Sequence, residues 1–287
     1  MKGFGDLYRS KKKINQKTKL SKEQIINKAF QFHQQGNISE AAKYYQIFIN
    51  RGFSDERVFS NYGNILRDLG KLKEAEIYHR KAIEINPHFA NAHCNLGNIL
   101  RDLGKLKEAE ISYGKAIEIN PDFAMAHCNL GNIFSDLGKL KEAEICHRKA
   151  IEINPDFTNA HLNLGNILSD NGKLQEAFNS FLKVIEINPT FSNVYPSLTR
   201  FLQYSDISEL NKSNLKQILT NVLERNDVSH KELFKAFNFL YKDELLSNCE
   251  ALNSDFFRTE SILNDKLVIN ALKKIIFSDL KLEVFLR

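Results

Sequence analysis

Tryptophan is absent from this chain, and proline is close to absent, with five in 287 residues. Glycine is also sparse at thirteen, and no Val/Thr-rich alternating run occurs, so the composition argues against sheet and for helix. No apolar run approaches the roughly 20 residues a membrane-spanning helix requires. The N-terminal stretch lacks the apolar core of a secretory signal, so no leader is expected. Cys94, Cys128, Cys146 and Cys249 show neither CxxC nor zinc spacing. Free thiols in a reducing, cytoplasmic setting are therefore expected, with no metal and no cofactor.

A strong charge of either sign is also missing from most of the chain. The net charge is +5, yet residues 1–22 alone hold eight Lys or Arg against one acid, Asp6. Residues 1–21 thus read as a basic, disordered arm. Such an arm can touch nucleic acid or anionic lipid, but Phe4 and Tyr8 precede the lysines instead of interleaving with them, so a solubilising terminus is preferred.

What is present is repetition. The stretch from Gly63 to Ile77 recurs without a change from Gly97 to Ile111, again closely from Gly131 to Ile145, and more loosely from Gly165 to Ala177. Each copy starts 34 residues after the last, which marks a repeat array and not one large core. Counting back places five units at 22–55, 56–89, 90–123, 124–157 and 158–191. The first is divergent but in phase, with Gly36 matching Gly70 and Glu40-Ala41 matching Glu74-Ala75. Each unit reads as two helices. In the second, one runs from about Val58 to Leu69, Gly70 supplies a left-handed C-cap, another runs from about Leu72 to Glu84, and Asn86-Pro87 closes the unit. The expected fold is all-α, a right-handed α-solenoid of about five helix pairs.

These marks resemble the tetratricopeptide-repeat (TPR) family. Its pattern of a large residue, Leu-Gly, an apolar residue, Ala, an aromatic, Ala and Pro is met in the third unit by His93, Leu96-Gly97, Leu100, Ala109, Tyr113, Ala116 and Pro121. The fourth unit has His127, Leu130-Gly131, Phe134, Ala143, His147, Ala150 and Pro155. Histidine at 93, 127 and 161 departs from the family's bulky aromatic. One repeat apart, these three lie too far from one another to share a metal ion, and packing between the helices of a repeat is expected.

Helix geometry turns the side opposite the apolar stripe of each first helix outward, and there Arg57, Ser60, Asn61, Asn64, Arg67 and Asp68 are expected. Stacking aligns equivalents into lines. One line is Asn27, Asn61, Asn95, Asn129 and Asn163; a second is Asn64, Asn98, Asn132 and Asn166; Arg67 and Arg101 head a third. Asparagine is a poor helix-interior residue, so its recurrence asks for a reason. A carboxamide both donates and accepts and can hold the backbone of an extended peptide; alternatively, it bonds the next repeat and holds the stack together, or copying has preserved it. The resemblance implies peptide binding on the concave surface, and the TPR arm of protein O-GlcNAc transferases looks especially similar in the context of these asparagines. The lysines of chaperone-tail binders are missing, since the neighbours are Ser60, Cys94, Cys128 and Leu162.

After Phe191 the register fails. Residues 192–204 read as a closing half-repeat, and helical stretches are expected at about 209–224, 230–250 and 265–286. Gly172 is the last glycine and Pro196 the last proline. Nucleotide sites need glycine where backbone approaches phosphate, so 192–287 is expected to be a helical cap or connector and not a transferase domain. The chain reads as a non-enzymatic scaffold for a protein or peptide ligand. The alternative is the substrate-recognition arm of a glycosyltransferase or methyltransferase whose catalytic domain lies elsewhere.

Overall fold

A computed structural model describes residues 20–225 and 230–241, and among these the chain is all-α. The expected arm lies outside the described residues except for its last two, as do the 265–286 stretch and the end of the 230–250 stretch.

The helices are α1 Lys22–Gln34, α2 Ile38–Asn50, α3 Glu56–Asp68, α4 Leu72–Ile85, α5 Ala90–Asp102, α6 Leu106–Ile119, α7 Ala124–Asp136, α8 Leu140–Ile153, α9 Thr158–Asp170, α10 Leu174–Ile187, α11 Val194–Tyr204 and α12 Lys212–Leu223. A short 3₁₀ turn at His230–Leu233 leads into helix over 234–241. Each first helix from α1 to α9 begins 34 residues after its predecessor, as does each second helix from α2 to α10. Even the divergent first unit therefore keeps phase.

Local chemistry sets the ends. Ser21 forms a capping box with Gln24 before α1. Asp55 Oδ1 accepts from the backbone N–H of Arg57 and Val58, which starts α3 at Glu56, two residues before the position expected from hydrophobic periodicity. At the other end Gly70 adopts φ +73°, Gly70 N–H donates to Arg67 O and Lys71 N–H to Leu66 O, both at 2.8 Å. That is a Schellman close, and a Cβ would be strained at this φ. Asn86 ends α4 in an extended conformation ahead of Pro87, and its Oδ1 accepts from His88 N–H at 3.1 Å.

The chain divides into two units, Met1–Ile133 and Phe134–Arg287. In the first, the pairs α1/α2, α3/α4 and α5/α6 pack internally and each on the next. Its core runs from Ile25 through Tyr45, Phe48, Val58, Tyr62 and Leu66 to Ile99. In the second, the last repeat shares one core with the helices beyond it. Leu168, Phe178, Phe181 and Val184 pack with Leu198, Phe201, Leu202, Leu215 and Leu219, and onward to Leu233 and Phe237. Within 192–241, then, the chain closes the apolar end of the array.

One contact recurs in both units. A Cβ added at Gly63 would lie 2.7 Å from the His79 ring, at Gly97 2.6 Å from Tyr113, and at Gly165 2.7 Å from Phe181. In these three first helices the glycine is a hole that a ring from the second helix fills.

Candidate functional site

At 100° per residue, positions 57, 61, 64 and 68 share one stripe of α3. The structure leaves this stripe accessible: Arg57 and Asp68 are exposed, Asn61 and Asn64 half-buried. The pattern repeats as Asn91, Asn95, Asn98 and Asp102 on α5, as Met125, Asn129, Asn132 and Asp136 on α7, and as Asn159, Asn163, Asn166 and Asp170 on α9. In α1 the stripe is Glu23, Asn27, Phe30 and Gln34, and Asn27 is exposed. Its centre is constant in four repeats, while its N-terminal end changes from repeat to repeat.

Two members of the expected outward set are corrected. Ser60 is only 2% exposed, and Cys94, Cys128 and Leu162 at the same position are buried. They sit about 60° off the stripe, against neighbouring helices, and cannot read a ligand. Burial pushes the Cys94 thiol up to about 11, which keeps it neutral. Arg67 does not stand free, because its Nε donates to Asp102 Oδ2 of the next repeat at 2.8 Å. Arg101, its equivalent, is half-buried.

The two asparagine lines meet. Asn129 Nδ2 donates to Asn98 Oδ1 at 3.0 Å, and Tyr113 Oη donates to the same oxygen at 2.7 Å. Burial raises the Tyr113 hydroxyl, so it stays protonated as a donor. Here the first-line residue of one repeat bonds the second-line residue of the repeat before it. This is the contact expected if the asparagines hold the stack together. The bond ties adjacent repeats, and it uses neither the Asn98 amide nitrogen nor the Asn129 amide oxygen. Between the first and second repeats, Asn61 instead reaches the Tyr45 hydroxyl, which also hydrogen-bonds His33.

His79 occupies the equivalent of Tyr113. It is fully buried, and neither ring nitrogen has a partner. Burial, reinforced by the Arg67 charge, pulls it down to about 4. His147 in the second unit has the same burial, the same unpartnered nitrogens and the same shift to about 4. The sequence carries the signal for this contrast, since positions 45, 79, 113, 147 and 181 read Tyr, His, Tyr, His and Phe. Its link to the asparagines requires the packing.

The histidines at 93, 127 and 161 do other work than filling space between helices. Their Nε2 atoms donate to the carbonyls of Pro87, Pro121 and Pro155 at 3.0, 2.9 and 2.9 Å. Each ring therefore clasps the Asn-Pro turn before its helix. Tyr195 does the same to Pro189 O at 2.6 Å, so the closing helix α11 keeps the repeat's clasp one 34-residue step beyond His161.

Away from the stripe, the second helices carry paired charge. Arg80, Glu76, Lys105 and Glu108 form a network in the first unit, and Arg148, Glu144, Lys173 and Glu176 its copy in the second. A cleft of about 520 Å³ lies beside the latter, floored by Ile151, Leu164 and Leu168. Among the described residues no group of three His, Cys, Asp or Glu is placed to hold a metal ion, and no helix is long and apolar enough to cross a membrane.

Comparison with known proteins accords with this geometry. Tetratricopeptide-repeat family models match residues 63–100, 97–138, 124–157 and 158–191. No curated protein matches the chain in sequence. Among solved structures, a tetratricopeptide repeat protein from Parabacteroides merdae is similar over 88% of this chain and 97% of its own, at 20% identity and TM-score 0.57. TTC0263, a TPR protein of Thermus thermophilus, is similar over 63% of this chain and 99% of its own, at 18% identity and TM-score 0.52. YrrB, described as a TPR protein with an unusual peptide-binding site, is similar over 74% of this chain and all of its own, at 24% identity and TM-score 0.50. These likenesses concern the fold. With the 34-residue step, the glycine-and-ring packing and the matched repeats together, residues 63–191 are tetratricopeptide repeats, and the described residues form an all-α solenoid.

Proposed function

We propose that the chain is a protein-interaction scaffold whose first helices dock an extended peptide segment of a partner. The repeat family and its structural neighbours support the scaffold, and YrrB offers a precedent for peptide binding in this fold. The observation that carries the reading to this surface is the stripe itself. Half-buried carboxamides recur at its centre, with the exposed Arg57, Asn91, Met125 and Asn159, three residue types in four repeats, at its edge. A constant polar centre suits a peptide main chain, which is the same in every ligand. A variable edge suits side chains, which are not. Asn61, Asn64, Asn95, Asn98, Asn129 and Asn132 form that centre in the first unit, with Asn27 at the divergent end and Arg67 and Arg101 alongside, and Asn163 and Asn166 are its counterparts in the second. The same stripe would serve the substrate-selecting arm of a transferase, so that alternative shares the surface and differs in what acts on the ligand.

Met125 is 51% exposed and Asn91 is exposed, so glutamate at either position leaves the core intact. Peptides selected on the wild-type protein from a displayed library are expected to bind Asn91→Glu/Met125→Glu at least tenfold more weakly, at unchanged Tm. Equal binding by the two proteins would place the ligand elsewhere.

A further inference from the structure

The ring positions of the second helices read Tyr45, His79, Tyr113, His147 and Phe181. Two of the five are side chains that take up a proton near neutral pH when exposed. His79 is fully buried on α4, and its Nε2 lies 2.7 Å from the place a Gly63 Cβ would occupy on α3. No water fits between ring and helix at that distance. Neither ring nitrogen has a partner, so a charged ring would bury two unmatched donors together with its charge. From α3 the ring faces a second positive charge, Arg67, which Asp102 of α5 matches at 2.8 Å. In the next repeat Tyr113 fills the Gly97 hole, takes up no proton and places its hydroxyl on Asn98. His147 on α8, in the second unit, is again fully buried with both nitrogens unpartnered.

We propose that the second repeat is a proton-operated opening in the array: in acid, α3 and α4 part at the contact of His79 with Gly63, while α5 and α6 stay closed. The closed contact refuses the proton, because burial, reinforced by the Arg67 charge, holds the ring down to about 4. A ring released from the hole titrates near 6.5. Between those two values the opened pair gains a proton that the closed pair does not, and acid draws the pair open. A repeat array takes its stability from each unit and from the contacts with its neighbours, so one pair can open while the others remain closed. The ion pairs Arg67–Asp102, Arg80–Glu108 and Lys105–Glu76 tie both helices to the third repeat. An opened pair therefore keeps its place and can close again. The helix set loose is the one that carries Asn61 and Asn64, so the device lies directly beneath the accessible stripe.

The test is amide hydrogen exchange of the full chain at pH 8 and pH 5, with every rate corrected for the intrinsic effect of pH. Protection over α3 and α4 is expected to fall about thirtyfold more than protection over α5 and α6, the factor by which a proton at pH 5 favours a ring that titrates near 6.5. The helix α8, which carries His147, should lose protection alongside them. Two variants isolate the His79 ring. His79→Phe brings a ring that fits the corresponding hole at Gly165 as Phe181, and His79→Tyr brings the ring of the third repeat. Neither takes the proton, so both should abolish the excess loss over α3 and α4 and leave the loss over α8. Each protein is compared with itself at two pH values, so a variant of lower Tm still gives an answer. An equal loss over α3 to α6 in the wild type, or an undiminished excess over α3 and α4 in both variants, would overturn the proposal.

Discussion

The second and third repeats share fifteen consecutive residues, Gly63–Ile77 and Gly97–Ile111, yet differ in what lies behind their asparagines. In the third, Tyr113 fills the Gly97 hole and ends in a hydrogen bond. In the second, His79 fills the Gly63 hole and ends in none. The same backbone packing thus supports a tied carboxamide pair in one repeat and a free pair in the other. Copying kept the frame, while one core position came to end in a hydrogen bond in one repeat and in none in the other.

Acid should separate the two repeats most strongly. His79 ordinarily titrates near 6.5 and is held at about 4 in the fold. The folded state therefore resists a proton that the unfolded chain accepts. Stability is complete above pH 6.5 and falls as pH drops from 6.5 through 4, by about 3 kcal/mol in the limit at roughly 1.4 kcal/mol per pH unit. His147 contributes in the same direction. Chemical denaturation at pH 8 and pH 5 should show a smaller loss in His79→Tyr than in the wild type; an equal loss would mean that the ring is not held neutral. Next comes the hole itself. A methyl at Gly97 meets the Tyr113 ring at 2.6 Å, so Gly97→Ala should cost about 1–3 kcal/mol by overpacking, read as a lowered denaturation midpoint with unchanged slope. Tyr113→Phe keeps the ring and removes the hydroxyl, with an expected loss of about 1 kcal/mol, and leaves Asn98 held by Asn129 alone. His79→Phe removes no hydrogen bond, so it should not destabilise in this way.

The smallest effect lies on the outer face, where Arg80 of the second repeat is matched by Gly114 of the third. Arg80 ties Glu76 and Glu108. Gly114 sits inside α6, and a Cβ there would meet nothing within 4 Å. Gly114→Ala should therefore raise stability by about 0.5–1 kcal/mol through helix propensity alone. A calorimetric Tm that fails to rise would show that this helix position is not limited by backbone entropy.

Most of the fold was legible in the chain because a TPR unit is built from local rules. Gly70 and Asn86-Pro87 end helices wherever they occur, and a 34-residue step carries those ends along the array. The stripe was legible for the same reason, since Asn61 and Asn64 lie one turn apart. Helical angles alone placed Ser60 too far outward, because the boundary between stripe and contact depends on how closely the next repeat approaches. Which asparagines are tied was not legible either. The Asn98–Asn129 bond joins residues of neighbouring repeats through a third residue, Tyr113, on another helix. The alternation of tyrosine and histidine is visible in the sequence, but that the Tyr113 hydroxyl meets Asn98 requires the packing. Likewise, His93 reads as a defective aromatic until its Nε2 is seen on Pro87 O.

The central claim is that the stripe of the first helices holds a peptide by its main chain. It is tested most directly by measuring the affinity of an end-capped dodecapeptide of alanine and threonine for the wild type and for Asn64→Ala/Asn95→Ala at pH 8, with Tm recorded for both. The account predicts about tenfold weaker binding at closely similar Tm. Unchanged affinity, or a collapse of Tm that accounts for the loss, would show that these asparagines belong to the stack and not to the ligand.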